Sequence, residues 1–301
     1  VITSLTLQRE AMPAGLSVVR LSIKGLKGGH SGGEIHLGLG NANKLLGRFL
    51  AGHTDELGAR VLDINGGTLR NAIPREAFAT LALPSANLDR LQTLAQHFQS
   101  KVAHDLGAVE KSPCVTVDAA QSEQLPLDAA SQSRFIALLN STPNGVIRMS
   151  DEVKGVVETS LNLGVVTTAE SEAQVICLIR SLNESGKDAV VSQLTSLGAL
   201  AGARVEAKGS YPGWEPDASS PVMHLVRDTY HKLFSTLPNI MVIHAGLECG
   251  LFKKPYPLMD MVSIGPTITG PHSPDEQVNI PSVGRYWQLL TALLKAIPEK
   301  A

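Results

Sequence analysis

Residues 17–53 read SVVRLSIKGLKGGHSGGEIHLGLGNANKLLGRFLAGH, and they contain the pattern from which the rest of the chain is built. In SVVRLSIK (17–24) the apolar Val19, Leu21 and Ile23 alternate with Arg20, Ser22 and Lys24, the period-two signature of a half-buried strand. In NANKLLGRFLAGH (41–53) Leu45, Leu46, Phe49 and Leu50 fall on one helical face. Between them runs a glycine-rich connector, so the stretch predicts strand, loop, helix.

Working outward, ARVLDING (59–66) and EAFATLAL (76–83) read as strands, and residues 87–106 as a helix carrying Leu88, Leu91, Leu94, Phe98 and Val102 in register. A second set follows: a helix near 131–140, the strands VVETSLNLGVV (156–166) and AQVICLIRS (173–181), the helix KDAVVSQLTSLGALAG (187–202) and the strand ARVEAKG (203–209). Hairpins with interspersed helices predict a two-layer α+β domain, a ferredoxin-like antiparallel sheet with helices on one face.

The stretch GSYPGWEPDASSP (209–221) concentrates Gly, Pro, Ser and Asp and marks a boundary, giving domains at 1–210 and 211–301. Beyond it Ser220 and Pro221 open a helix with Val222, Leu225, Val226, Leu233 and Phe234 on one face. NIMVIHA (239–245) and MDMVSIG (259–265) are near-continuously apolar, as buried α/β strands are. A last helix over 283–297 aligns Tyr286, Leu289, Leu290, Leu293, Leu294 and Ile297. This second domain reads as an α/β unit short of strands.

At 301 residues and 43% hydrophobic, with mean hydropathy +0.07, the chain can bury a sizeable core. Its 26 Lys and Arg against 28 Asp and Glu give a charge of −2 without a basic run, which argues against a nucleic-acid partner. No apolar stretch reaches the roughly 18 to 20 residues that span a bilayer, and VITSLTLQRE lacks the order of a signal peptide, which argues against a membrane. Cys114, Cys177 and Cys249 show no CxxC spacing, and a reducing cytoplasm is the expected setting. The chain starts at Val1 without Met, as though cut from something longer.

Several motifs could carry chemistry. KGLKGGHSGGEIHLGLGN (24–41) surrounds His30 and Ser31 with seven glycines, which lets the backbone approach a ligand closely; a flexible loop is the alternative. Gly29 to Gly33 also satisfies G-x-S-x-G, with Asp260 and His272 following in triad order, so a serine hydrolase using Ser31 is the rival enzyme. Against it, Glu34 to Gly40 separate the serine from the next helix, whereas a nucleophile elbow turns straight into one. His53-Thr54-Asp55 has the form of a ligand histidine with an orienting carboxylate, but it falls at the end of a helix, where Gly52, His53 and Thr54 are ordinary terminating residues; His224 and His231 read as solvated surface.

NGGTLRNAIP (65–74) joins two strands and ends in a proline, a constrained loop that can present Asn71 and Arg70; its NGG is equally a hairpin signal. Arg180 closes an apolar run at a strand end, where a guanidinium can clamp a carboxylate or simply be solvated. In GPTITGPHSPDE (265–276) His272 stands between two prolines after an apolar strand, a rigid setting for a metal or catalytic role.

Taken together, GGHSGG, NGGTLRNAIP, the strand ending in Arg180 and GPTITGPHSPDE resemble, over essentially the whole chain, the zinc exopeptidases that include aminoacylases, carnosinases and tripeptidases. The similarity is greatest to the bacterial aminoacyl-histidine dipeptidase branch. It implies that residues 1–210 are a lid and dimerisation domain and 211–301 the closing part of an α/β catalytic domain. It also implies hydrolysis of Xaa-His dipeptides such as β-alanyl-histidine by a cytoplasmic homodimer that uses two zinc ions.

Residue by residue, the resemblance makes His30 the catalytic donor to the scissile carbonyl, Asn71 and Arg180 the binders of the substrate carboxylate, Gly246 a backbone contact to substrate, and His272 a metal ligand. Two positions depart from the pattern: Leu178 stands where many relatives carry Asp, and His244-Ala245-Gly246-Leu247-Glu248 where many carry a GTD-like phrase. The family's His-x-Asp, bridging Asp and Glu pair have no counterpart here, so the expectation is a C-terminal fragment, inactive by itself. A non-enzymatic dimerisation or substrate-binding lid is the alternative.

Overall fold

The computed structural model describes residues 1–151, 153–210, 214, 217–242, 248–253, 255–269 and 276–297. The chain divides into two compact units, one of residues Val1–Ser210 and one beginning at residue 211.

The first unit contains β1 (Ile2–Thr6), β2 (Leu16–Lys24), β3 (Gly29–His30), α1 (Ala42–His53), β4 (Arg60–Gly66), β5 (Ala72–Ile73), β6 (Ala77–Pro84) and α2 (Leu88–Leu106). There follow β7 (Cys114–Ala119), α3 (Ala129–Ser141), β8 (Gly145–Met149), β9 (Val157–Thr168), β10 (Glu172–Ser181), α4 (Glu184–Ala201) and β11 (Arg204–Glu206). Nine strands form one sheet in the order β11-β1-β10-β9-β4-β6-β2-β7, with β8 also pairing β9; β3 and β5 make a separate ribbon. Every pairing is antiparallel.

Alternation sets which face of the sheet is covered. Leu21, Ile23, Ile64, Ala79, Leu81, Leu161, Leu163 and Val175 share one core with Phe49, Leu91, Phe98 and Phe135 of the helices, while Arg20 on β2 is exposed. Phe49 meets Phe98 edge to face at 5.3 Å between centroids. The helices begin where side chains satisfy their first amides: Asn41 accepts from Lys44 N–H, Asp128 from Ser131 N–H and Asn183 from Gly186 N–H.

The two sets of strands read from the sequence are joined rather than separate. β4 and β9 meet at Gly66 opposite Val166, which makes a single sheet of both. β8 carries no alternation to read, because Val146, Ile147 and Met149 are all exposed on it. The expected strand at 203–209 shortens to Arg204–Glu206 at the sheet edge, where one partner strand is all it has.

The second unit contains α5 (Pro221–Phe234), α6 (Glu248–Lys253), β12 (Ile268–Thr269), β13 (Gln277–Val278) and α7 (Ile280–Ala296). Val226, Leu289 and Leu293 form its core, with Leu225, Tyr230, Phe234, Val262 and Ile264 packed against them. The strand expected at 259–265 does not form, nor does the part of 239–245 that is described, residues 239–242. A strand needs a neighbour to take its hydrogen bonds, and none pairs with these segments among the described residues; their apolar character alone does not suffice. Asp260 serves α5 instead: it accepts from Ser220 Oγ at 2.6 Å and Val222 N–H at 2.8 Å, reinforcing the cap at a helix N-terminus.

Cys177 lies in the core, and burial pushes its thiol up to about 12, whereas Cys114 and Cys249 are half-buried. Titration of the native protein with an aromatic disulfide at neutral pH is expected to modify Cys114 and Cys249 and spare Cys177 until denaturant is added. Fast labelling of Cys177 in the native state would contradict this packing.

Candidate active site

Three residues singled out from the sequence, His30, Asn71 and Arg180, are brought together on the first unit. Gly246 and His272 lie outside the described residues. The assembly begins with the two-stranded ribbon, in which His30 of β3 stands opposite Ala72 of β5. The glycine connector and the NGG loop are therefore hydrogen-bonded to each other, although about forty residues separate them in sequence.

The loop carrying His30 is fixed at both ends by one carboxylate. Glu110, only 2% exposed, accepts from Lys27 N–H and from Gly40 N–H, each at 2.9 Å. Within the loop, His30 N–H donates to Glu34 Oε2 at 2.7 Å, and Glu34 N–H donates back to the His30 carbonyl at 2.9 Å. Neither carboxylate announces itself in the sequence, since Glu110 acts across a long separation and Glu34 resembles any loop carboxylate.

The His30 ring is oriented by the glycines that follow it. Its Nδ1 accepts from Gly32 N–H at 3.3 Å and from Gly33 N–H at 3.2 Å. A nitrogen that accepts cannot carry the proton, so the neutral ring carries it on Nε2 and presents an N–H donor. Such a donor suits a carbonyl oxygen that gains negative charge. A Cβ on Gly32 would lie 2.9 Å from His30 Cε1 and 3.1 Å from Arg180 Cζ, so glycine alone lets imidazole and guanidinium close on the same point of backbone.

Arg180 is half-buried at the end of β10, opposite Ser160 of β9. Its Nε donates to Ser31 Oγ at 3.3 Å. Burial alone pulls its pKa below the ordinary value, and no carboxylate among the described residues pairs with it. A desolvated guanidinium whose Nε is occupied by a neutral hydroxyl keeps its terminal nitrogens for an anion. Ser31 is 1% exposed, and its N–H donates to the Asn71 carbonyl at 2.9 Å. That location corrects the serine-hydrolase reading: Ser31 sits in a buried turn as a partner of Arg180, and Asp260 caps a helix.

Asn71 is half-buried in the turn before β5, and its side chain has no hydrogen bond among the described residues. The loop needs Gly67, at φ +68°, where a Cβ would sit 1.9 Å from the Gly164 carbonyl oxygen. His53 Nδ1 lies 2.7 Å from Glu56 Oε1, one turn along at the end of α1, in keeping with a terminating role. Among the described residues no group of three or more His, Cys, Asp or Glu could hold a metal ion. These residues therefore do not by themselves fit a two-metal centre.

The ring geometry makes a spectroscopic prediction. In long-range ¹H–¹⁵N spectra recorded at about pH 8, above the ordinary histidine range, His30 should show an unprotonated Nδ1 and a protonated Nε2. A dominant Nδ1–H form would refute the glycine-amide arrangement.

Residues 21–110 match the family model described as a peptidase dimerisation domain. The cytosol non-specific dipeptidase of Escherichia coli (strain K12) is 65% identical over 298 residues, covering 99% of this chain and 61% of that protein. The solved structure of aminoacylhistidine dipeptidase from Vibrio alginolyticus superposes with a TM-score of 0.91 at 55% identity, covering 100% of this chain and 61% of that one. The chain thus spans about three fifths of the length of both relatives. The peptidase dimerisation domain matched at residues 21–110 thus lies inside a similarity to both relatives that runs through nearly all of this chain.

Proposed function

We propose that this chain supplies the substrate-gripping part of a metal-dependent dipeptidase that cleaves Xaa-His dipeptides such as β-alanyl-histidine. The observation that carries the reading is the half-buried Arg180, free of carboxylates among the described residues and set against His30 across Gly32. Arg180 and the Asn71 amide take the free C-terminal carboxylate of the dipeptide, while His30 Nε2–H donates to the oxygen of the scissile carbonyl as it becomes negative. In support, one relative is named a dipeptidase and the other an aminoacylhistidine dipeptidase.

On this reading residues 1–210 act as a lid and dimerisation domain in a cytoplasmic homodimer, and 211–301 belong to the catalytic domain. No helix among the described residues is long and apolar enough to cross a membrane. Gly246 would contact substrate through its backbone, and His272 would be a ligand of one of two zinc ions. A catalytic zinc takes about three protein ligands, so a chain offering one of them does not turn over substrate alone.

Two measurements test this. Assayed against β-alanyl-histidine with and without added zinc, the 301-residue polypeptide is expected to show no turnover; metal-dependent hydrolysis would sink the claim of inactivity. In binding, the dipeptide should be preferred over its C-terminal amide, and Arg180→Ala should remove that preference. The expected loss is about 1.5 to 3 kcal/mol, the worth of a hydrogen bond to a charged group. Equal binding of acid and amide by the unmutated protein would overturn the role given to Arg180 and favour a dimerisation module.

A further inference from the structure

We propose that Asn162 is the positioning residue of this site, the group that holds Asn71 at a fixed place relative to Arg180. The proposal rests on the reading of Arg180 and Asn71 as the carboxylate binders.

The geometry is a closed circuit. Asn162 lies on β9 directly opposite Leu178 of β10, and Ser160 lies opposite Arg180. Partners across an antiparallel ladder, and residues two apart along a strand, share a face, so Asn162 and Arg180 rise from the same side of one rigid ladder. Asn162 Nδ2 donates to the Arg70 carbonyl at 2.9 Å and to the Ala72 carbonyl at 2.8 Å, the two peptide oxygens flanking Asn71. The Asn71 carbonyl accepts from Ser31 N–H at 2.9 Å, and Ser31 Oγ accepts from Arg180 Nε at 3.3 Å. The path from Arg180 through Ser31, Asn71 and Asn162 back to the ladder contains no free joint.

Asn162 is 1% exposed, and its Oδ1 has no hydrogen-bond partner among the described residues. A buried amide that leaves its acceptor unmatched carries a cost, and an apolar side chain would avoid it only by taking this donor from the Arg70 and Ala72 carbonyls. What only a primary amide supplies here is two N–H donors on one atom, matched to two carbonyls. Close packing beneath the loop makes the fit tighter: a Cβ on Gly164 would lie 2.7 Å from Arg70 Cα.

The test uses the 301-residue chain with β-alanyl-histidine and its C-terminal amide as probes, together with Asn162→Leu, which has no donor, and Asn162→Thr, which keeps one. Asn162→Leu is expected to weaken binding of the acid about tenfold and leave binding of the amide nearly unchanged; Asn162→Thr falls between. In an Asn71→Ala background the loss on changing Asn162 should vanish, while any fall in Tm persists, which separates positioning from general stability. Additive losses in that cycle, or equal losses for acid and amide, would overturn the proposal.

If the unmutated protein does not discriminate acid from amide, the carboxylate-site reading fails first, and the positioning of Asn71 is judged on amide exchange. Ser31 N–H, bound to the Asn71 carbonyl, should exchange at least tenfold faster in Asn162→Thr, on the order expected for one lost hydrogen bond. An unchanged rate overturns the positioning role. Should Asn162→Leu not fold, Asn162→Thr carries both measurements.

Discussion

The pleat of β9 is the constraint on which the rest depends. Along one edge this strand pairs with β10, and along the other with β8 and β4, so it is the seam between the two groups of strands. Its side chains must alternate: Leu161 and Leu163 enter the core, while Ser160 and Asn162 take the other side. A shift of one residue would turn the leucines toward the Arg70–Ala72 loop and put the polar pair in hydrocarbon, so the register that stabilises the core also decides which residues stand beside Arg180.

The site borrows its rigidity from that register. Arg180 is carried by a regular strand, whereas His30 and Asn71 lie on connections that a backbone alone would leave poorly fixed. Their positions come from hydrogen bonds to groups far away in sequence, including Glu110 and Asn162. The electrostatic result follows from the same packing. Burial leaves the Arg180 charge poorly solvated, and a poorly solvated cation gains more from meeting an anion than an exposed one does.

Much of the first unit could be read from the sequence because its elements obey local periods. Val19, Leu21 and Ile23 face the core as their alternation requires, and the polar residues before α1, α3 and α4 cap them. β8 carries no such signal because its apolar residues are exposed, and the apolar run 259–265 forms no strand because strand formation is a property of pairs. His30, Asn71 and Arg180 were legible as chemical types in unusual local settings. Asn162 was not: its amide sits in an ordinary-looking strand, and its meaning arises from carbonyls about ninety positions earlier. No local pattern encodes a contact of that span.

Glu110 acts as a staple. Because one buried carboxylate holds the amides of Lys27 and Gly40, the segment between them enters and leaves the fold at fixed points whatever it contains. The entropy of closing such a segment grows only logarithmically with its length. Residues between the two anchors can therefore be inserted, deleted or exchanged at small cost to the sheet, and the histidine-bearing loop can be reshaped for a different ligand without rebuilding the frame that presents it.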